Sequence, residues 1–252
     1  MSASHIVDLT GKIAVVTGAS SGLGRNFAAV LAAAGATVIA AARRTELLAS
    51  LAEQQAGILA HRCDITQTAD LEALITRADE LGGIDILVNN AGWADAVPAM
   101  TQPMADFRKT FDIDVTALFE LSVLAGKSMA ERGGGSIVNI ASVLGMVASA
   151  PVPQAAYGTA KGAVISMTRH LACEWARQGV RVNSRSPGWF PSELTDKMLA
   201  DESASGWIRR NTPLGRPGKN GELDGALLLL AGPAGSFITG QNIAVDGGWT
   251  AR

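Results

Sequence analysis

Residues 13–24 read Ile13-Ala14-Val15-Val16-Thr17-Gly18-Ala19-Ser20-Ser21-Gly22-Leu23-Gly24, and the reading of this stretch decides the fold. Ile13–Thr17 is short and almost unbroken in apolar character, the pattern of a strand covered on both faces. Glycines and serines follow, and then an alanine-rich run, Gly22–Ala34, that suits a helix. Small residues at such a turn let backbone N–H groups approach a pyrophosphate at the helix N-terminus. Gly18, Ser20, Ser21, Gly22, Leu23 and Gly24 are therefore candidate phosphate contacts. The spacing is Gly-x3-Gly-x-Gly. A glycine turn alone is weak support, because any tight strand-to-helix turn favours small residues; the flanking strand and helix raise its value.

Outward from this turn the same alternation continues. Strands are predicted at Ile13–Thr17, Thr37–Ala41, Ile58–Arg62, Ile86–Asn89, Ser136–Ile140, Val180–Asn183 and Asn242–Val245. Helices are predicted at Gly22–Ala34, Thr45–Gln55, Thr68–Leu81, Met104–Glu131, Gln154–Gln178 and Gly221–Leu230. Strands alternating with helices imply an α/β fold, a doubly wound parallel sheet with helices on both faces. No linker or repeat divides the chain, so residues 1–252 are read as a single domain. Pro187–Pro217 holds four prolines and is expected to form loops and short helices over a ligand, as a lid.

Composition removes several function classes. Hydrophobic residues make up 48% of the 252 and charged residues 17%, which suits a largely buried sheet. The formal charge is −2, without a basic run, so nucleic-acid binding has little electrostatic support. No apolar stretch approaches the roughly 18 residues of a membrane span. The polar segment Met1–Thr10 shows no apolar signal core, and a cytoplasmic location is expected. Cys63 and Cys173 form no CxxC pair and are read as small reduced core residues. His5, His61 and His170 lack metal-ligand spacing, and no metal site is expected.

Two features carry chemistry. Tyr157 and Lys161 stand four apart in a predicted helix and share a face. A phenol of pKa about 10 needs roughly 4 kcal/mol to act as a base near neutrality. One cation about 4 Å away supplies roughly that at an effective dielectric near 20. Such pairs are also common on solvated helix faces, so the spacing alone decides nothing. The second feature ends the second strand, Ala40-Ala41-Ala42-Arg43-Arg44. An acidic residue here would accept the ribose 2′-hydroxyl of NAD; none is present, and Arg43 suits a 2′-phosphate. NADP(H) is thus preferred, with NAD(H) as the alternative. Asp64 is read as an adenine-side contact or a helix cap before Ile65 and Thr66.

Taken together, the chain resembles the short-chain dehydrogenase/reductase family, in its compact form, from about Leu9 to Trp249. The resemblance rests on the Thr17–Gly24 turn, Asn89-Asn90-Ala91-Gly92, Ser142, Tyr157-x3-Lys161, Pro187-Gly188 and Asp246-Gly247-Gly248, in that order. It implies a Rossmann-type sheet of about seven parallel strands and hydride transfer with a nicotinamide cofactor. It further implies that Tyr157 is the acid/base, that Lys161 lowers its pKa and meets the nicotinamide ribose, and that Ser142 holds the substrate oxygen. Asn90, Ala91, Gly92, Pro187, Gly188 and Ser192 would border the cofactor, together with Arg43, Asp64 and Ile65.

This chain departs from the family pattern in three places. Asp114 stands where relatives carry the asparagine of a proton relay, and is read as its replacement. Ser142 and Tyr157 are 157 − 142 = 15 positions apart, so the segment Val143–Gln154, with Pro151 and Pro153, is expected to reshape the substrate mouth. Arg185 stands at a usually apolar position and is expected to face solvent or to aim a charge at a substrate or subunit.

Candidate substrate contacts are Trp93, Val143, Leu144, Val152, Gln154, Trp189 and Phe190. Three functions follow. One is an NADP(H)-dependent reductase of a ketone or 3-oxoacyl-type carbonyl, favoured by the alanine–arginine stretch and an apolar pocket. Another is an NAD-dependent dehydrogenase of a polyol, sugar acid or secondary alcohol. A non-catalytic dinucleotide-binding protein is the third. The resemblance also implies a homo-oligomer, a tetramer formed through the fourth and fifth helices.

Overall fold

The computed structural model describes residues 7–148 and 152–251. Seven strands form one sheet in the order β3-β2-β1-β4-β5-β6-β7, every neighbouring pair parallel. They are β1 (Ile13–Thr17), β2 (Thr37–Ala42), β3 (Ile58–Arg62), β4 (Ile86–Asn89), β5 (Gly135–Ile140), β6 (Val180–Pro187) and β7 (Asn242–Val245). The expected doubly wound sheet is present.

Strand alternation sorts side chains into two cores. Ala14 and Val16 of β1 join Val38 and Ala40 of β2 on one face; Ile13, Val15, Ile39 and Ala41 point to the other. The first face is covered by α1 (Gly22–Ala33) through Phe27, Ala28 and Leu31 and by α2 (Thr45–Gln54) through Leu48 and Leu51. The second is covered by α3 (Thr68–Glu80) through Leu71, Leu74 and Ile75. Both faces being apolar explains why the central strands read as continuous apolar runs.

The predicted helix Met104–Glu131 is three pieces in line: α4 (Met104–Phe111), a π-helical turn (Asp112–Thr116) and α5 (Ala117–Glu131). Such a turn re-aims side chains and is frequent at functional sites. Next comes α6 (Ala155–Trp175), with a short 3₁₀ turn to Gln178. The segment after β6 holds α7 (Asp196–Ala200) and α8 (Glu202–Asn211), and α9 (Asp224–Ala231) precedes β7 and packs Leu227 and Leu230 on the first face. Loops and short helices do lie between β6 and β7, as the sequence of 187–217 suggests.

Three expectations need correction. β6 runs four residues past Asn183, because Ser184–Pro187 pair with β7 despite their poor strand propensity. Cys173 is exposed, whereas Cys63 is buried as expected. Arg185 faces neither solvent nor a ligand. It is fully buried with its guanidinium 4.3 Å over the Phe27 ring, and Nη1 donates to the Leu223 carbonyl. Burial pushes it down to about 9, against the raising influence of Asp224. Asn183 is structural: Nδ2 donates to Ile238 O and Oδ1 accepts from Gln241 N.

Candidate functional site

Strand order reverses between β1 and β4, and a crevice opens at that switch point beyond the strands' carboxyl ends. The Thr17 hydroxyl accepts from the backbone N–H of Asn90 and of Ala91, both at 3.1 Å, which ties the two chain ends together. Asn90 Nδ2 donates back to Thr17 O at 3.0 Å. Gly24 is required at this junction, because a Cβ there would overlap Gly18 O and Asn90 Nδ2. Ser21 precedes α1 in extended conformation and makes no side-chain cap. The first-turn N–H groups of α1 are thus not consumed by a capping side chain, and they meet the cleft where an anion is favoured. This arrangement fits the phosphates of a dinucleotide.

The cleft has a volume of about 560 Å³. Gly18, Ser20, Ser21, Gly22, Leu23, Gly24, Arg43, Asp64, Ile65, Asn90, Ala91 and Gly92 line one end. Ser142, Val143, Leu144, Gln154, Tyr157, Lys161, Trp93, Pro187, Gly188, Trp189, Phe190 and Ser192 line the other. Val152 is half-buried and is not on the cleft wall, a correction to its expected role; Pro151 lies outside the described residues. Asp64 lines the cleft and also closes its own turn, accepting from Thr66 N and Thr66 Oγ1. It does not cap α3.

Sequence reasoning missed Lys109, Arg44 and Glu193 in the wall. Lys109 Nζ sits 4.2 Å from the Trp93 ring centroid, a cation–π contact at the rim. Lys109 and Ile113, four apart, both reach the cleft, a spacing visible in the sequence but shared by most helix faces. Arg44 Nη1 pairs with Glu193 Oε1 at 2.9 Å, and Arg44 Nη2 donates to Ser20 Oγ at 3.0 Å. Ser21 Oγ donates to Glu193 Oε2 at 2.8 Å. The segment after β6 is thereby tied to the glycine turn. Arg43 lines the cleft without a hydrogen bond or ion pair to any described residue.

At the other end, α6 presents Tyr157 and Lys161 on one face, with Lys161 Nζ 5.5 Å from the phenol ring centroid. Ser142, at the end of β5, hydrogen-bonds the phenol. Its Oγ also accepts from Leu144 N at 3.1 Å, which fixes its rotamer. Lys161 is buried, donates to Ile140 O at 3.0 Å and pairs with Asp114 Oδ1 at 3.1 Å. Asp114 comes from the π-helical turn, is fully buried and accepts from Trp93 N at 3.3 Å. It stands behind Lys161 and does not reach the cleft wall. Gly92 is required beside it, since a Cβ there would lie 2.6 Å from Asp114 Oδ1.

Burial dominates the electrostatics of this group. It lifts the Asp114 carboxyl above its ordinary value, against the lowering influence of Lys161 and the Trp93 amide. Burial alone would lower Lys161, but Asp114 and the phenol outweigh it and leave the ammonium raised. Tyr157 is also raised: burial acts first, Lys161 and the Ser142 hydrogen bond pull down, and Asp114 pushes up. Lys161 thus pulls the phenol down as expected, but burial first and Asp114 after it outweigh that pull.

Two buried polar atoms of the wall have no hydrogen-bond partner among the described residues: Gln154 Oε1, an acceptor, and Trp189 Nε1, a donor. Trp189 otherwise packs edge-to-face on Trp207 and Trp249 at 5.9 and 5.6 Å. Among the described residues no group of His, Cys, Asp and Glu is arranged to hold a metal ion, and no helix is long and apolar enough to cross a membrane.

A family model described as enoyl-(acyl carrier protein) reductase matches residues 18–250. The chain is 38% identical over 245 residues to a galactitol 2-dehydrogenase (L-tagatose-forming) of Cereibacter sphaeroides, covering 96% of each chain. It superimposes on a gluconate 5-dehydrogenase from Burkholderia cenocepacia J2315, solved in complex with NADP and tartrate, with TM-score 0.94, 34% identity and 100% of each chain covered. It superimposes equally on a short-chain type dehydrogenase/reductase from Mycobacterium marinum, with TM-score 0.95, 37% identity and 100% of each chain covered. The chain belongs to the short-chain dehydrogenase/reductase family of oxidoreductases.

Proposed function

We propose that the protein is an NADP(H)-preferring dehydrogenase that interconverts a secondary hydroxyl and a ketone on a polyhydroxylated chain, a polyol or a sugar acid. The observation that carries this reading is that Gln154 Oε1 and Trp189 Nε1, in the wall of the cleft that holds Tyr157, have no partner among the described residues. A buried polar atom left without a hydrogen bond costs about 1–3 kcal/mol. An apolar ketone supplies no partner to either atom, while the hydroxyls of a polyhydroxylated substrate can donate to Gln154 and accept from Trp189. Lys109 at the rim adds a cation suited to a carboxylate. The polyol and sugar-acid names carried by relatives support the same reading over reduction of an apolar or 3-oxoacyl carbonyl.

Arg43, which lines the cleft without a hydrogen bond or close ion pair to a described residue, supports NADP(H), since a guanidinium suits the 2′-phosphate. The nicotinamide, when bound, supplies or receives the hydride. The side chains handle the proton. Ser142 steadies the substrate oxygen beside the phenol, Tyr157 gives or takes the proton, and Lys161 holds the phenol's charge and the ribose. Asn90, Pro187, Gly188 and Ser192 would orient the cofactor.

Replacement of Gln154 by Leu tests the reading. Activity on a polyol should fall at least about tenfold relative to a simple secondary alcohol, the factor expected for one lost hydrogen bond left unmatched. Unchanged relative activity would overturn the polyhydroxy assignment.

A further inference from the structure

Asp114 is the residue by which this chain departs from its family pattern at the centre of the site. Its carboxylate is fully buried and 3.1 Å from Lys161 Nζ. The Trp93 N–H donates to both of its oxygens at 3.3 Å. A neutral amide at this position would leave the buried ammonium as a net positive charge beside the phenol. With Asp114 present, the ammonium and the carboxylate sum to zero next to Tyr157.

We propose that Asp114 is a positioning residue that acts through Lys161 on Tyr157: its carboxylate cancels the ammonium field, so the phenol keeps its proton into the alkaline range. Among the described residues, the charged and polar groups facing the phenol are few. Lys161 lies on the same helix, Asp114 on the π-helical turn, and Ser142 at the end of β5. From α4, Lys109 stands at the cleft rim over Trp93 rather than against the phenol. Arg185 of β6 lies on the opposite sheet face, against Phe27. The direction found for Tyr157, upward through burial and Asp114 against Lys161, agrees with the geometry.

The consequence for catalysis rests on the dehydrogenase reading. Reduction needs the protonated phenol and would persist at high pH. Oxidation needs the phenolate and would gain rate as pH rises. The charge arrangement itself does not rest on that reading.

Tyr157 is the single tyrosine of the chain, so its ionisation is readable without substrate or cofactor. The experiment is an ultraviolet titration of tyrosinate absorbance in the full-length protein, with Tyr157→Phe as the blank. The wild-type midpoint should lie at or above the free-phenol value of about 10. In Asp114→Asn it should fall by at least about one unit, the effect of an unopposed cation within a few ångströms. A variant midpoint equal to or above that of the wild type would overturn the proposal.

Should Asp114→Asn not fold, the double variant Asp114→Asn/Lys161→Met removes both charges and keeps the volume. It should titrate within about one unit of the wild type if the two charges cancel. A larger rise would show that Lys161 acts uncancelled, and would overturn the proposal. Under the dehydrogenase reading, the alkaline limb of the oxidation rate should move with the titration. A shifted titration without turnover would leave the charge assignment standing and remove the functional reading.

Discussion

At the scale of single residues, the cleft divides into groups that contact ligands and groups that set their charge. Arg43 lines the cleft and is proposed to belong to the first set. Replacing it by Ala should raise KM for NADPH about 10- to 100-fold, the worth of a charge-assisted hydrogen bond of about 1.5–3 kcal/mol, and leave KM for NADH nearly unchanged. Steady-state kinetics with both cofactors checks this; equal effects would show that Arg43 does not read the 2′-phosphate. Lys109 is exposed at the rim, so its contribution is screened. In Lys109→Met, KM for a sugar acid should rise roughly two- to fivefold, and KM for the matching neutral polyol should not change. The thiols offer a check on burial. Burial first, and the nearby carboxylates of Asp70 and Asp64, push Cys63 up to about 12, while Cys173 is exposed. A disulfide reagent at neutral pH should modify one thiol in the native protein and two after denaturation; two fast thiols in the native state would contradict the packing. Asp114 was legible as an anomaly in the sequence, but its effect was not. The spacing of Tyr157 and Lys161 suggested a lowered phenol. Only the fold reveals that the π-helical turn brings a carboxylate to the far side of the ammonium.

At the scale of elements, most strands and helices were legible because pattern and burial agree. β1 and β4 are apolar except for the buried Thr17 and Asn89 at their carboxyl ends, and their boundaries match the reading. The exceptions have tertiary causes. Ser184-Arg185-Ser186-Pro187 carry no strand signal, yet β7 supplies partners for them, with Ser184 and Ser186 hydroxyls both donating to Asn242 Oδ1. The π-helical turn leaves helical periodicity on either side nearly intact, so a single long helix was the natural reading. The Arg44–Glu193 latch was invisible for a different reason: Glu193 and Arg44 are 149 positions apart. Its chemistry yields a prediction. Glu193 holds a carboxylate at Ser21 and occupies Arg44, close to where anionic phosphates are proposed to dock. Glu193→Gln should tighten NADP(H) binding a few-fold, as expected for removing one screened like charge. Fluorescence titration of the cofactor reads this directly; weaker binding would mean that the latch instead organises the site.

At the scale of the whole molecule, the candidate site belongs to no single element. The glycine turn follows β1, Asn90 follows β4, Ser142 follows β5, Tyr157 and Lys161 sit on α6, and the segment holding Glu193 follows β6. Parallel topology brings these carboxyl ends to one edge, which is why a linear series of short motifs becomes one cleft. The phosphate end was almost fully legible, since it depends on local turn chemistry. The substrate end was not, because its polarity depends on Gln154, Trp189 and Lys109 converging from distant segments. That convergence redirects the functional reading from an apolar ketone to a polyhydroxylated substrate. The most direct measurement follows nicotinamide absorbance while the protein is offered a hexitol, a hexonate and an apolar secondary alcohol of similar length, each with saturating NADP. Oxidation of the hexitol or hexonate with kcat/KM at least about tenfold above the apolar alcohol is the predicted result, matching one satisfied buried hydrogen bond. Equal or higher kcat/KM for the apolar alcohol would contradict the account.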